Sequence, residues 1–378
     1  MPFRLVLAGC GHTHLFVLEA LAAGRLPGVR ATLVSPSEEY FYSGMTPGVL
    51  AGMYVPEAAR FLPARLARAA GAGWVRGAVA RVDAAERRVE LEDGRTLPYD
   101  RLSLNVGSRL AADDLPGIAE HAHPVKPMQR ALGLRSAAAD ALERATAARP
   151  ARIVVAGGGT AGVEVSLCLE AWLARRHGRE RHHVVIVEGG DRVLEEHPEG
   201  FRARAGALLR ERGITVHTGE HVAAAGADAV RLDGGEILPC DLLVWATGPR
   251  APSLFRDSGL PTDRRGYLRV GPTLAVPGVA GVFGGGDCVT IDGCPWVPKA
   301  GVYAVREGEA LARNLERIHA GREPLPYRPQ RDWLSLMNTG SGAALLAYRG
   351  VSAHGAAAWR LKDWIDRRFM RRFRRLEG

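Results

Sequence analysis

Two glycine-rich turns, each set between a short apolar run and a helical pattern, constrain this 378-residue chain more than any other feature. The first comes after Phe3 to Ala8 and reads Gly9-Cys10-Gly11-His12-Thr13-His14, with Leu15, Leu18, Glu19 and Leu21 continuing at helical spacing. The second comes after Ile153 to Ala156 and reads Gly157-Gly158-Gly159-Thr160-Ala161-Gly162, with Val163 to Leu173 continuing as a helix. Strand, tight turn and helix N-terminus together make a pyrophosphate cradle. One glycine permits the turn, the next lets backbone approach the phosphates, and the positive end of the helix meets their charge. The second copy has all three glycines. In the first, His14 stands where a small residue would ease helix against strand, so that turn is the weaker signal on its own.

The strand downstream of each turn separates the two. Beyond the second turn, the strand Val184 to Val187 ends in Glu188, a carboxylate placed to accept the ribose hydroxyls of an adenosine and to repel a 2′-phosphate. NADH is therefore expected over NADPH, with Arg192 nearby to soften the preference. Beyond the first turn, Ala31 to Val34 ends in Ser35-Pro36, so the Ser35 hydroxyl is the candidate there. Each unit then carries a second glycine signal, Leu102 to Gly107 and Leu242 to Gly248. This is an internal duplication of one dinucleotide-binding plan. Two such sites in one chain imply transfer between their occupants. The expected class is α/β, with two Rossmann-like domains, the second inserted in the first, and a short C-terminal region of strand and amphipathic helix.

These turns, the Ala246-Thr247-Gly248 segment and the later Gly281-Val282-Phe283-Gly284-Gly285-Gly286-Asp287 resemble the two-dinucleotide-binding flavoproteins. That family includes the pyridine nucleotide-disulfide oxidoreductases and the type II NADH:quinone oxidoreductases. The match runs over about residues 3 to 320. Finer segments, Gly11 to His14, Tyr42 to Gly48 and Trp364 to Met370, are similar to NADH-dehydrogenase-like proteins associated with selenophosphate synthetase. The resemblance implies FAD held by Gly9, Gly11, His12, Thr13, His14, Ser35, Ser43, Thr46, Val79, Gly107, Gly286, Asp287 and Gly301. It implies NADH held by Gly157, Gly159, Thr160, Gly162, Glu188 and Gly248. Asp287 would take the ribityl and phosphate end of FAD, and the helix after Lys299-Ala300-Gly301 would aim at the flavin pyrimidine. Expected domains are 1–125 with 265–325 for FAD, 126–264 for NADH, and 326–378 at the C-terminus.

The implied activity is FAD-dependent oxidation of NADH with two electrons passed to a quinone-type acceptor. Lys299 is the candidate for stabilising charge on reduced flavin, and a surface lysine is the competing reading. Glu164 matches a glutamate that quinone-reducing relatives place near nicotinamide and flavin, or is simply an acid answering its helix dipole. His12 and His14 border the first turn as caps or packing. The resemblance departs at Arg306-Glu307, which replace the family's quinone-site Gln pair. The alternatives are a sulfide or selenium oxidoreductase of the sulfide:quinone type, using Cys288 or Cys294, and a flavoprotein whose redox state controls binding. Disulfide reduction is disfavoured, since no cysteine lies between Cys10 and Cys168.

Composition closes other routes. Apolar residues at 47% and charged residues at 24% are ordinary for a soluble globular chain. No run approaches eighteen apolar residues. Five cysteines without CxxC or zinc-like spacing give no metal site and fit a reducing cytoplasm. Much of the net charge of +9 sits between Trp359 and Leu376, where eight Lys/Arg face two Asp. There Leu361, Trp364, Ile365, Phe369, Phe373 and Leu376 recur at helical intervals. One reading is a helix lying on an anionic membrane, peripheral on the inner face of the plasma membrane; the other is a helix packed on its own protein or on a second copy. Nucleic acid is not expected, because the charge comes with no accompanying fold.

Overall fold

The computed structural model describes residues 3–110, 115–146 and 148–377. Its two main sheets use, in chain order, β1 (Arg4–Ala8), β2 (Arg30–Ser35), β3 (Gly73–Arg76), β4 (Arg101–Leu104), β5 (Ala122–Pro124) and β6 (Ala151–Ala156). They are completed by β7 (His182–Glu188), β8 (Thr215–Thr218), β9 (Leu242–Trp245) and β10 (Val282–Gly284). The first sheet has the order β10-β4-β1-β2-β3 and the second β5-β9-β6-β7-β8. Every pairing in both is parallel. Parallel sheets are covered on both faces, so their strands are apolar without alternation. Leu5, Leu7, Ile153, Val154 and Val155 are accordingly buried.

In each sheet the strand that feeds a glycine turn, β1 or β6, is the central one. Its helix comes at once: α1 (His12–Ala22) in the first unit and α2 (Thr160–His177) in the second. Each unit also carries a three-stranded antiparallel appendage, Val79–Asp83 to Thr96–Pro98 in the first and Val222–Ala225 to Ile237–Pro239 in the second. The duplication read from the glycines thus extends to the whole plan. All of the second sheet lies in sequence between β4 and β10, which makes it an insertion in the first. One strand falls across the expected division: β5 pairs with β9 in the second sheet, although residues up to 125 are expected with the first. A three-residue strand closed by Pro124 offers too little pattern to place it.

Helix α3 (Gly301–His319) packs beside α1. The C-terminal region is an antiparallel sheet of β11 (Ser335–Asn338), β12 (Ala344–Tyr348) and β13 (Val351–Gly355), followed by α4 (Ala356–Arg374). One face of α4 is docked: Ala358, Lys362, Asp366, Met370 and Phe373 are buried, and Phe373 meets Phe16 of α1 edge-on at 5.0 Å. The face bearing Leu361 and Trp364 points outward, Trp364 remaining 52% exposed. Among the described residues no helix is long and apolar enough to cross a membrane.

Candidate active site

The first turn is built around Asn105, one residue beyond β4. Gly9 has φ +95°, and a Cβ there would lie 2.3 Å from the Asn105 carbonyl oxygen; a Cβ on Gly11 would lie 2.1 Å from Asn105 Oδ1. Asn105 Nδ2 donates to the Gly285 carbonyl at 2.6 Å, tying this turn to the loop that carries Gly286 and Asp287. Helix α1 starts at His12 with no side-chain cap, leaving backbone N–H groups at its positive end.

The two residues after His12 face the other way. Thr13 is buried and donates its hydroxyl to the Ala304 carbonyl at 3.1 Å. His14 is buried with Nδ1 2.6 Å from the Gly9 carbonyl and Nε2 2.8 Å from the Ser103 hydroxyl. A carbonyl only accepts, so Nδ1 carries the proton and Nε2 accepts from Ser103. Burial pushes the His14 imidazole down to about 4, keeping it neutral. The side chains of His14 and Thr13 therefore brace the turn from beneath, as the packing reading of His14 has it, and the expected side-chain contact of both with FAD is corrected. Ser35 is corrected similarly: its hydroxyl donates to the Ser37 carbonyl and accepts from the Trp74 indole. Val79 stands in the antiparallel ladder opposite Leu91. Gly107, at φ +72°, borders open space.

The second turn repeats the arrangement. Gly157 has φ +107°, and a Cβ there would meet the Ala246 carbonyl at 2.6 Å; one on Gly162 would lie 1.9 Å from the Gly157 carbonyl. Gly159 and Gly248 have nothing within 4 Å of a Cβ position. Glu188 sits at the mouth, Oε2 accepting from Gly158 N–H at 2.5 Å and Oε1 from Gly190 N–H at 2.8 Å. A carboxylate has about four acceptor positions, so room for ribose hydroxyls remains. Arg192, four residues further along the chain, is exposed. Thr160 shares a 2.8 Å hydrogen bond with His197, an imidazole that burial pushes down to about 4.

Between the units lies a cavity of about 1700 Å³. It is larger than the roughly 300–1,000 Å³ of a typical single-ligand pocket. The first turns of three helices open into it: His12 of α1, Thr160 and Ala161 of α2, and Gly301 and Val302 of α3. Ser43, Thr46 and Lys126 complete this part of the wall. Lys126 Nζ lies 2.8 Å from Asp287 Oδ2, a pair that sequence reasoning misses because 161 residues separate its members. His12 shares a 2.6 Å hydrogen bond with the Tyr40 hydroxyl through Nδ1, and burial pushes it down to about 4.

These residues fit two extended dinucleotides. Both turns end in uncapped helix N-termini. Three buried polar atoms beside them, His12 Nε2, Asn105 Oδ1 and Thr247 Oγ1, have no protein partner among the described residues. A Cβ on Gly301 would stand 3.7 Å from both His12 Nε2 and Ser43 Oγ, so the start of α3, His12 and Ser43 meet at one corner of the cavity.

Lys299 does not point into the large cavity. Its ammonium donates to the Val289 carbonyl and the Thr290 hydroxyl and lies 4.2 Å from the centroid of the Tyr267 ring, and burial lowers its pKa. Satisfied there, it braces the loop around Asp287, and its ammonium is not among the groups lining the large cavity. Glu307 does similar work from α3, where its buried carboxylate accepts from Gly286 N–H at 2.5 Å.

Glu164 does line the cavity. It accepts from Asn338 N–H at 2.7 Å, and burial carries its carboxyl up to about 7 against the pull of nearby Lys362. Lys362 donates to the Gly44 carbonyl at 2.6 Å and to Asp366 at 2.8 Å, and the Tyr42 hydroxyl reaches Asp366 at 3.1 Å. The C-terminal helix therefore supplies a buried ion pair to the cavity wall. The sequence hides Lys362 and Asp366 because the apolar stripe through Leu361 and Trp364 looks like the inner face; their four-residue spacing, which lets them pair on one face, is the available signal.

The buried thiols offer no nucleophile. Burial pushes Cys10 and Cys288 up to about 12 and Cys240 up to about 11, and holds Cys168 well above its usual value. Cys288 points at the Leu104 and Gly285 carbonyls, away from the cavity. His217, Glu220 and Glu236 place one ligand atom each within 4.8 Å of one another at the partly exposed rim of the second unit.

The family described as pyridine nucleotide-disulphide oxidoreductase matches residues 3–315. Demethylphylloquinone reductase of Synechocystis sp. is 31% identical over 291 residues, which cover 74% of this chain and 70% of that protein. An NADH dehydrogenase-like protein of Mycobacterium tuberculosis is 32% identical over 223 residues, 58% of this chain and 55% of its own. The chain thus spans little more than half the length of several curated relatives. Among solved structures, Plasmodium falciparum NDH2 in complex with NADH has a TM-score of 0.85, covering 99% of this chain and 97% of that one at 16% identity. The sulfide:quinone oxidoreductase of Aquifex aeolicus has a TM-score of 0.82, with coverages of 99% and 92% at 17% identity. At such identities these two speak for the fold.

Proposed function

The chain belongs to the pyridine nucleotide-disulphide oxidoreductase family, and within it we propose an FAD-dependent NADH dehydrogenase that passes two electrons to a quinone-type acceptor. The observation that carries this reading is the single cavity into which the N-termini of α1, α2 and α3 all open. Two glycine turns with positive helix ends favour two pyrophosphates, and a third helix end favours negative charge on a ring system held between them. When bound, FAD would supply the redox chemistry, hydride acceptance from NADH and two-electron delivery to the acceptor.

The protein's own groups position and neutralise. Gly9, Gly11 and the α1 N-terminus would hold the FAD pyrophosphate, and the Lys126–Asp287 pair its ribityl side. Gly301 and His12 would border the flavin ring, His12 remaining neutral and offering Nε2. Gly157, Gly159 and the α2 N-terminus would hold the NADH pyrophosphate, with Glu188 on its adenosine ribose. Glu164, close to neutral pH in its titration and facing the same cavity, would exchange a proton with whatever is reduced there.

Attachment to a membrane surface is part of the proposal. Leu361 and Trp364 of α4, with Val351 and Tyr348 of the adjoining hairpin, form an exposed apolar fringe, and each arginine near anionic lipid adds about 1 kcal/mol at best. A second copy covering the same fringe is the competing arrangement, which sedimentation with and without vesicles separates. The sulfide or selenium reading draws no support from Cys288, whose thiol is buried and pushed up to about 12; Cys294 is partly exposed and does not line the large cavity.

The test is anaerobic mixing of purified protein with NADH or NADPH, followed by a panel of quinones. Bleaching of the flavin by NADH and prompt reoxidation by a quinone are expected. Protein that neither carries nor rebinds FAD, or whose flavin stays oxidised under NADH, would overturn the proposal.

A further inference from the structure

We propose that the acceptor side of the cavity reads an acidic group, so that the preferred oxidant is a quinone or related aromatic bearing a carboxylate or sulfonate. The inference rests on the quinone-type reading and narrows it. Helix α3 contributes Val302 and Val305 to the wall and then Arg306, a guanidinium where the resembling quinone reductases carry a neutral Gln. The acid facing Arg306 is Glu309, at 3.7 Å, and Glu309 is already shared with Arg372 at 3.9 Å. On α4, Arg368, Arg371 and Arg375 line the same cavity, and among the described residues none of the three has a carboxylate within 4 Å.

Of the carboxylates lining the cavity, all but Glu164 are already paired with a Lys or Arg. Glu19 holds Arg372 at 2.7 Å, and Asp332 lies 3.4 Å from Arg349. The result is an apolar wall of Val302, Val305, Ile365 and Phe369 rimmed by cations in excess of acids: Arg306 shares Glu309 with Arg372, and Arg368, Arg371 and Arg375 have no carboxylate within 4 Å among the described residues. Such a rim concentrates anions at the mouth of a low-dielectric cleft, and a guanidinium fork grips a carboxylate or sulfonate through two parallel bonds. Trp364, with the Arg368 guanidinium 5.3 Å from its ring centroid, offers a flat partner for an aromatic body.

Lipid phosphate shares this anion chemistry, so the experiment separates the two. Holoenzyme reduced by NADH is mixed, without lipid, with a neutral naphthoquinone and with a sulfonated one, for the wild type, R306Q and the double variant R371Q/R375Q. The ratio of kcat/KM for sulfonated over neutral quinone should fall about tenfold in R306Q at low salt, the worth of one charge-assisted bidentate contact. The wild-type advantage should shrink as ionic strength rises. Calorimetry with redox-inert 2-naphthalenesulfonate reads the same site without turnover and should show weaker binding in both variants. An unchanged ratio and unchanged sulfonate binding would overturn the inference while leaving quinone reduction standing. Loss of binding to phosphatidylglycerol vesicles with an unchanged ratio would overturn it in favour of lipid. Failure of both quinones to reoxidise the reduced flavin would overturn both readings, and failure of the sulfonated one alone would overturn only the inference.

Discussion

Replacing Glu164 with Gln isolates the cost of one ionised carboxylate in the cavity wall. Burial lifts this carboxyl from its ordinary value of 4.5 to about 7. A group whose pKa is raised on folding binds its proton more tightly in the folded state. Its full contribution is present below pH 4.5, is lost as pH rises towards 7, and is absent above that. Carried through linkage, the wild type is penalised above pH 7 by up to about 3 kcal/mol relative to pH 4.5. Glutamine stays neutral and keeps an oxygen for Asn338 N–H, the bond that Glu164 now makes at 2.7 Å. With an unfolding entropy of roughly 2.1 cal/mol/K per residue, that penalty corresponds to about 4 °C in Tm for a chain of this length. Scanning calorimetry of both proteins should show equal Tm near pH 4.5 and E164Q higher by several degrees at pH 8. Other titrating groups, Glu307 among them, are common to both proteins and cancel. A Tm difference that is the same at both pH values would refute the assignment of the titration to Glu164.

The same geometry sets the outcome of other substitutions. Glu188→Ala removes the acceptor at the mouth of the second turn; kcat/KM for NADH should drop about tenfold and the gap to NADPH narrow, and an unchanged ratio in steady-state kinetics would remove Glu188 from the adenosine site. Lys299→Met should lower Tm through loss of its contacts to Val289, Thr290 and Tyr267 while leaving flavin bleaching by NADH within about twofold, since a change of about 0.4 kcal/mol in barrier is that small; a large loss of bleaching rate in stopped flow would restore it to the flavin. His14→Ala strips the Gly9 carbonyl and the Ser103 hydroxyl of a buried partner and should cost about 2–4 kcal/mol in denaturant unfolding; loss of FAD without loss of stability would place His14 on the ligand instead.

The two glycine turns, with the strand before each and the helix after it, were legible because each rests on local pattern. A strand without polar alternation, a turn that excludes Cβ and a helix that starts beyond it are all written in consecutive residues. Glu188 was legible for the same reason, ending its strand at the expected distance. The misplaced details are those in which two segments meet. Ser35 stood at the right place in its strand, but its hydroxyl is claimed by Trp74 from 39 residues away. Lys299 sat beside the right helix, yet Val289, Thr290 and Tyr267 turn its ammonium aside. Conversely Asn105, wedged between Gly11 and Gly286, lies inside the Leu102 to Gly107 signal but nothing local singles it out there, although it sets the spacing of both glycine loops.

The C-terminal helix shows how such a meeting shapes the chemistry. A stripe of Leu361, Trp364, Ile365 and Phe369 would ordinarily turn inward, leaving the charged residues in water. Here the inward stripe carries Lys362 and Asp366, both nearly inaccessible, because they satisfy one another and reach the Gly44 carbonyl and the Tyr42 hydroxyl. A buried pair of this kind is seldom a net gain for stability over apolar packing. Its position offers a reason to keep it: Lys362 faces Glu164 and holds that carboxyl lower than burial alone would. On this account Lys362→Met should raise the Glu164 pKa further above 7: E164Q still begins to outlast its parent above about pH 4.5, but the Tm difference keeps growing to a higher pH and levels off at a larger value. Calorimetry on Lys362→Met with and without E164Q reads this directly, since mere loss of packing would lower Tm equally at every pH.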